Sequence, residues 1–183
     1  ASLDIIRSIT EGDSLELQGE IHSGLVNLGL GSLLIPEEFG GLGLDLLFAT
    51  AVSQSLGGGI APIAFTGSYV MAPLAIIFGG NQTQKERYLT QMSKNSIRIG
   101  VGFSQYIGAR DNSTIEINSN KISGRSLFVL DAKDASHLML SDANGVIGLV
   151  STNSSGIEIV ELTTVDKTRS YSEVILNNVD IDV

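Results

Sequence analysis

Pro36-Glu37-Glu38-Phe39-Gly40-Gly41-Leu42-Gly43-Leu44-Asp45, residues 36–45, packs three glycines and three acids into ten residues directly after the apolar run from Leu25 to Ile35. Glycine at this density disfavours both a helix interior and a regular strand. It also permits backbone conformations and close approaches that other residues cannot reach. The stretch therefore predicts a shaped loop, and the segments on either side of it define the fold.

The chain around this loop, from residue 1 to about 97, has the spacing of helices. Gly57-Gly58-Gly59 is a strong signal for the end of a helix that begins near Leu46. The segment from Ala64 to Phe78 is apolar nearly all round and is expected to be buried, with Pro73 marking a kink or a start. Asn81 is a good N-cap for a following amphipathic helix. Apolar residues at near-helical spacing predict one further helix before the loop: Leu15, Leu17, Ile21, Leu25 and Leu28.

From about Arg98 the pattern changes to short runs of β-favouring residues. Turn-forming residues such as Asn118-Ser119-Asn120 and Asp142-Ala143-Asn144-Gly145 separate them. Several short strands at this spacing predict an antiparallel barrel or sandwich. Helices followed by strands indicate an α+β fold with segregated layers. We therefore expect an N-terminal all-helical domain over residues 1–97 and a β-domain over residues 98–183.

The composition is apolar, with 43% hydrophobic residues, 17% charged residues and a mean hydropathy of +0.24. No apolar stretch reaches the roughly 18 residues that a membrane span needs. The apolar fraction instead suggests surface that faces another subunit or a further domain. A homo- or hetero-oligomer is the corresponding expectation.

The net charge of −9 opposes binding to nucleic acid, whose phosphates attract cationic surfaces. The absence of cysteine excludes disulfides and thiolate metal sites, and it suits a reducing compartment such as the cytoplasm. His22 and His137 are far apart in sequence and have no partner pattern for metal binding or triad chemistry. We expect both histidines to be structural and predict no metal site.

Several segments resemble the acyl-CoA dehydrogenase family, and together they cover almost the whole chain. The block from Leu28 to Asp45 is similar to a specific block of that family. A second resemblance joins Ala72-Pro73-Leu74 to the segment from Phe78 to Leu89. The remaining similar segments are Gly124 to Ala132, Thr164 to Arg169, and Asn177-Asn178-Val179.

The resemblance implies the oxidation of an acyl-CoA thioester to its trans-2-enoyl-CoA, with FAD as the cofactor and an electron-transfer flavoprotein as a possible partner. In the family, a glutamate of a C-terminal helical domain removes the α-proton. The resemblance ends where that domain is expected to begin. No acid of this chain is assigned as the catalytic base, and this polypeptide alone is expected to be inactive.

The resemblance places the flavin contacts at Phe103, Ser104, Phe128 and Leu130. The family's flavin loop usually has the pattern T-E-P-G-A-G-S-D, which corresponds here to the segment from Ser104 to Asp111. Ser104 keeps a hydroxyl that is suited to the flavin pyrimidine ring. Phe128 and Leu130 stand where the family often has Trp and then Thr or Ser, so Phe128 can stack on flavin whereas Leu130 cannot form a hydrogen bond.

The implied substrate contacts fall on two other segments. Ala109 and Arg110 replace the usual Gly-Ser near the CoA chain, and Arg110 is suited to a CoA phosphate or carboxylate. Ser68, Tyr69 and Met71 lie on the helix that lines the acyl cavity in the family, although buried residues of these types are more often part of a core. Two alternatives stay open: a non-catalytic scaffold or partner subunit that has lost flavin, and an acyl-CoA binding module without redox chemistry.

Overall fold

A computed structural model of the chain describes residues 3–12, 15–103 and 114–183. Its contacts divide the chain into two compact units. The helical unit comprises Ala1–Ser96 and Val165–Arg169, and the β-unit comprises Ile97–Thr164 and Ser170–Val183. The division into domains at residues 97 and 98, in the sense of separately folding parts, stays a prediction.

The helical unit is built from short helices joined by tight turns. Two segments are π-helical: Thr66–Met71, which adjoins the start of α4, and Lys85–Leu89, which adjoins the start of α6. None of the described helices is both long and apolar enough to cross a bilayer. The α-helices are α1 (Leu3–Thr10), α2 (Leu15–Asn27), α3 (Leu46–Gly58), α4 (Ala72–Gly79), α5 (Gln82–Gln84) and α6 (Thr90–Ser93).

The glycine-rich loop between α2 and α3 folds back along the segment before it. After a single 3-10 turn at Glu37–Phe39, the backbone N–H groups of residues 42, 43 and 44 donate to the carbonyls of residues 32, 35 and 33 at 2.8–3.0 Å. Asp45 then caps α3, since its carboxylate accepts hydrogen bonds from the N–H groups of Leu47 and Phe48. The predicted loop is present, and it ends in a helix cap.

The segment around α4 is buried on one side only. Pro73 lies in the first turn of α4, where its missing N–H removes no bond within the helix, and the N–H of Ala72 bonds to the carbonyl of Gly67 in the wider π-helical spacing. Ala72 and Ile76 are buried, whereas Phe78 is 82% exposed. The expectation that this segment is buried all round is therefore wrong at its C-terminal end.

The core of the helical unit combines residues from the turn at Leu30–Ser32, from α3 and from the π-helical segment Thr66–Met71. Its buried members are Leu30, Leu33, Leu34, Ala49, Ile63, Phe65 and Tyr69.

Replacing Asn81 by alanine is expected to destabilise the helical unit by about 1 kcal/mol, a typical value for the loss of an N-cap. The Asn81 side chain accepts a hydrogen bond from the Gln84 N–H at 3.0 Å, and the Gln84 side chain accepts one from the Asn81 N–H at 2.9 Å. Urea unfolding of N81A beside the wild type measures the loss. Asn81→Ser, which keeps a capping oxygen, is the control and should retain most of the stability.

The described residues of the β-unit form a seven-stranded sheet in the order β5-β4-β1-β3-β7-β6, with β2 paired to β3. After β7, Asp182 and Leu149 exchange backbone hydrogen bonds, so the end of the chain returns to β5 and the sheet curls. The strands are β1 (Ile99–Gly102), β2 (Glu116–Asn118), β3 (Lys121–Leu130), β4 (His137–Ser141), β5 (Ile147–Ser151), β6 (Ile157–Glu161) and β7 (Tyr171–Asp180).

The predicted α+β class, with helices first and a curled sheet afterwards, is confirmed. The sheet is mixed and not purely antiparallel, because β1 pairs in parallel with β4. The chain forms β2 and β3 between these two strands, so it can re-enter the sheet beside β1 in the same direction. The main core of the β-unit lies on one face of the curled sheet, around Ile122, Val129, Leu138, Val150 and Val174.

The connection between β6 and β7 holds a compact turn that belongs to the helical unit. The Asp166 carboxylate accepts hydrogen bonds from the Thr168 hydroxyl at 2.6 Å and from the Thr168 N–H at 2.9 Å. These bonds hold the pKa of Asp166 below its ordinary value. Arg169 at the end of the turn donates a hydrogen bond to the carbonyl of Ile63.

We expect Asp166→Asn to lower stability slightly at neutral pH and to have no effect in acid. A carboxyl group with a lowered folded-state pKa stabilises the fold above its unfolded pKa of about 3.9, and this contribution is lost as pH falls through the folded value. Asp166 is exposed, so the effect is small. Thermal unfolding of wild type and D166N at pH 7 and at about pH 2 tests this, and an equal difference at both pH values would contradict it.

Candidate functional site

A row of apolar side chains crosses five strands of the sheet on the face opposite the main core. Tyr171 pairs with Leu130, Leu130 with Val101, Val101 with Met139, and Met139 with Leu149. Residues directly opposite each other on neighbouring strands project from the same face, so these five side chains share one face. The next pair along, Val129 and Ser172, is fully buried and projects to the other face.

This row becomes more accessible towards β3 and β7. Val101 and Met139 are only 1% and 2% exposed, whereas Leu130 and Tyr171 are half-buried. Phe103, two residues after Val101, is also half-buried. We use the name aromatic patch for the accessible end of the row, Leu130 and Tyr171, together with the neighbouring residues Phe103 and Phe128.

Phe128 owes its exposure to a β-bulge in β3. The register between β3 and β7 shifts between Ser126 and Val129, and Phe128 has a φ of +55°. A bulky side chain in the left-handed region is uncommon and strained, and such strain is concentrated at functional sites. The bulge turns the Phe128 ring towards the Tyr171 ring, with the centroids 6.5 Å apart and the planes at 80° in an edge-on contact.

Of the four residues predicted to contact flavin, Leu130 lies opposite Tyr171 in the strand register and Phe128 contacts the Tyr171 ring. Phe103 follows directly after β1, two residues beyond the register partner of Leu130. Ser104, like the predicted substrate residues Ala109 and Arg110, lies outside the described residues. Tyr171 was missed, because its place beside Phe128 depends on the pairing of β3 with β7, which no local pattern encodes. The one signal in the sequence was an aromatic residue at the start of a β-favouring run.

The three residues predicted to line an acyl cavity lie in the helical unit, on the π-helical segment Thr66–Met71. Ser68 is fully buried, Tyr69 is 6% exposed and Met71 is half-buried. The Tyr69 ring belongs to the core of the helical unit. Tyr69 is therefore a core residue, and the lining of an acyl cavity by Ser68, Tyr69 and Met71 stays a prediction.

His22 of α2 lies beside Tyr69, with 2.9 Å between its Nε2 atom and the tyrosine hydroxyl. In the β-unit, His137 Nδ1 lies 3.1 Å from the hydroxyl of Ser136. Within the described parts of the chain, no three His, Asp or Glu side chains form a group that would hold a metal ion. Both histidines thus contact neighbouring hydroxyls.

Ion pairs in the β-unit lie among residues other than those of the aromatic patch. Lys133 donates a hydrogen bond to Glu161 Oε1 at 3.2 Å, and its Nζ atom lies 2.9 Å from Glu161 Oε2. The hydrogen bond and the carboxylate charge raise the pKa of Lys133. Both side chains are half exposed, so the pair contributes little to stability. Arg98 pairs with Asp134 at 3.2 Å. The aromatic patch itself is formed from uncharged side chains.

Helices followed by a curled mixed sheet define a two-unit α+β protein with an apolar, half-open patch on the sheet. The family model described as "Acyl-CoA dehydrogenase, N-terminal domain" matches residues 5–96, which is half of the chain. The chain belongs to the acyl-CoA dehydrogenase family.

One curated relative and two solved structures illustrate the similarity. The (2S)-methylsuccinyl-CoA dehydrogenase of Cereibacter sphaeroides is 36% identical over 80 residues, which are 43% of this chain and 14% of that protein. An acyl-CoA dehydrogenase from Bacillus anthracis, solved with FAD, superposes with a TM-score of 0.81 at 17% identity and covers 96% of this chain and 33% of its own. The butyryl-CoA dehydrogenase of Megasphaera elsdenii superposes with a TM-score of 0.72 at 17% identity, over 97% of this chain and 52% of its own.

The structural similarities show a shared fold, since their identities lie well below the level that transfers chemistry. This chain spans only 14% of the curated relative and a third to a half of the two solved chains.

Proposed function

We propose that this chain takes part in the FAD-dependent α,β-dehydrogenation of an acyl-CoA thioester. The aromatic patch carries the proposal, because it offers a partly exposed apolar surface beside a strained bulge in a chain of this family. A surface of this kind suits one face of a planar ring system such as the isoalloxazine of FAD.

The residues of the patch fit the apolar part of a flavin ring. Phe128 would stack on the ring, and Leu130 and Phe103 would pack against it and exclude water. When bound, FAD would supply the chemistry by accepting the β-hydride of the thioester. The side chains of Phe103, Phe128 and Leu130 form no hydrogen bonds, so polar contacts must come from other groups, among which the Ser104 hydroxyl is our proposal.

We propose that two further groups of residues bind the substrate. Ala109 and Arg110 would lie along the CoA chain, with the Arg110 guanidinium available to a phosphate. Ser68, Tyr69 and Met71 would border the acyl group. We assign no acid among these 183 residues as the base for the α-proton, so this chain alone is not expected to turn substrate over.

The partners and location follow as part of the same proposal. An electron-transfer flavoprotein would reoxidise the cofactor, and a homo- or hetero-oligomer with dehydrogenase-like subunits would cover apolar surface. The lack of cysteine supports a cytoplasmic location.

A second candidate is a non-catalytic partner subunit or acyl-CoA binding module that has lost flavin. One observation favours it: Leu130 provides only carbon atoms where a flavin contact is expected, so the polar edge of the ring would lose a partner.

Flavin content and acyl-CoA binding separate the two candidates. The purified chain is titrated with FAD, and the visible flavin absorption band and flavin fluorescence are followed. Binding of an acyl-CoA is measured in parallel by calorimetry. Saturable FAD binding supports the dehydrogenase, whereas acyl-CoA binding without any FAD uptake overturns it in favour of the binding module. Phe128→Ala is the variant that tests the FAD-dependent dehydrogenase, since it removes the proposed stacking ring from an exposed position.

A further inference from the structure

We propose that Tyr171 is a flavin-site residue whose ring positions Phe128 and whose hydroxyl supplies the polar contact that Leu130 cannot make. This inference rests on the proposed function of the aromatic patch. It assigns Tyr171 a part in cofactor binding that its place at the start of β7 does not by itself suggest.

The rings of Phe128 and Tyr171 meet edge-on. Phe128 has a φ of +55° and is 37% exposed, so neither backbone preference nor burial fixes the direction of its ring. The edge of the Tyr171 ring meets it at 6.5 Å and 80°. An edge-on aromatic contact of this kind is favourable beyond the apolar area that it buries. The contact with Tyr171 therefore favours one orientation of the Phe128 ring.

The Tyr171 hydroxyl brings a hydrogen-bonding group to the aromatic patch. Tyr171 lies directly opposite Leu130 in the register of β3 and β7, and the two side chains share one face. Among the four described side chains of the patch, Phe103, Phe128 and Leu130 have no hydrogen-bonding atom, and Tyr171 contributes a hydroxyl. Tyr171 is half-buried, which leaves its outer edge accessible to a ligand.

Leu130 on β3 and Tyr171 on β7 would contribute different contacts to the same ligand. The residue on β3 provides apolar contact, and its register partner on β7 provides the hydroxyl. A phenol can donate to a carbonyl oxygen or accept from an N–H group, so the Tyr171 hydroxyl would be able to pair with either kind of group on a flavin ring.

Three variants of the full 183-residue chain test the inference, with FAD as the ligand and fluorescence quenching and the visible absorption band as readouts. Tyr171→Phe keeps the ring and loses the hydroxyl, so we expect FAD affinity to fall about fivefold to tenfold and the absorption band to shift. Tyr171→Leu loses both and should weaken binding further. In the Tyr171→Phe background, Leu130→Thr returns a hydroxyl to the opposite strand and should restore most of the affinity.

The outcomes separate this inference from the proposed function. If the wild type binds FAD and Tyr171→Phe binds it equally tightly with an unchanged spectrum, the role of the hydroxyl is overturned while the flavin site stands. If Tyr171→Leu binds as tightly as Tyr171→Phe, the role of the ring is overturned. A wild-type chain that takes up no FAD overturns the proposed function and this inference together. Thermal unfolding of each variant verifies that binding is compared between folded proteins.

Discussion

Gly41→Ala is expected to destabilise the helical unit by about 3 kcal/mol, at the upper end of the range for overpacking. A Cβ at this position would overlap the carbonyl oxygen of Ile35 and lie 2.5 Å from its carbonyl carbon. The obstacle is backbone, which cannot rotate away as a flexible side chain does. The same segment holds the bond from the Gly43 N–H to the Ile35 carbonyl at 2.8 Å, so moving Ile35 would disrupt the return of the loop.

Thermal unfolding measures this effect, and a loss of about 3 kcal/mol corresponds to a drop of roughly 10–20 °C in the melting temperature for a unit of this size. Gly19→Ala in α2 is the matched control, because no atom outside its own helix lies within 4 Å of a Cβ there. That substitution should be neutral or should stabilise the helix by up to about 1 kcal/mol. Equal melting temperatures for G41A and the wild type would show that the loop tolerates a side chain and that the close approach is not required.

Phe65→Ala is the second substitution with a large expected effect, a loss of about 3–5 kcal/mol. Phe65 is 1% exposed and belongs to the core of the helical unit, directly before the π-helical segment Thr66–Met71. Removing its ring leaves a cavity among side chains that can collapse only in part. Because the ring also supports Tyr69 in the same core, we expect the contact between Tyr69 and His22 to loosen in the variant.

Phe78→Ala is the control for this prediction, since the same side chain is removed from a position that is 82% exposed. Its effect should stay within about 0.5 kcal/mol, the usual range for surface substitutions. Chemical denaturation of the two variants gives the comparison directly. A similar loss for both would contradict the assignment of Phe65 to the core and of Phe78 to the surface.

These two predictions differ in how far the sequence alone leads to them. The importance of the loop at residues 36–45 is visible from its glycines, but the identity of the critical glycine is not. Gly40 and Gly43 have positive φ values, whereas Gly41 is required because the Ile35 carbonyl lies against it. Similarly, Phe65 and Phe78 belong to the same apolar segment, and only packing distinguishes the buried ring from the exposed one.

In the candidate site, too, some residues could be predicted from the sequence and one required the structure. Motif resemblance indicated Phe103, Phe128 and Leu130, and the structure places the last two beside Tyr171. The motif resemblance gave no indication of Tyr171. The contact between Tyr171 and Phe128 lies beside a bulge that shifts the register of two strands distant in sequence. A register shift of one residue reverses the face on which a side chain lies, and it is set by pairing between strands.

The sequence by itself determined the family, the order of helices before strands, and the positions of the loops and caps. These features depend on local spacing, on glycine and on side-chain hydrogen bonds within a few residues, which short segments encode. The tertiary structure alone decided that the sheet is mixed, that Gly41 lies against the Ile35 carbonyl, and that Tyr171 stands beside Phe128. Each of these depends on which distant segments pair or pack, and that choice minimises the free energy of the whole unit and not of any one segment.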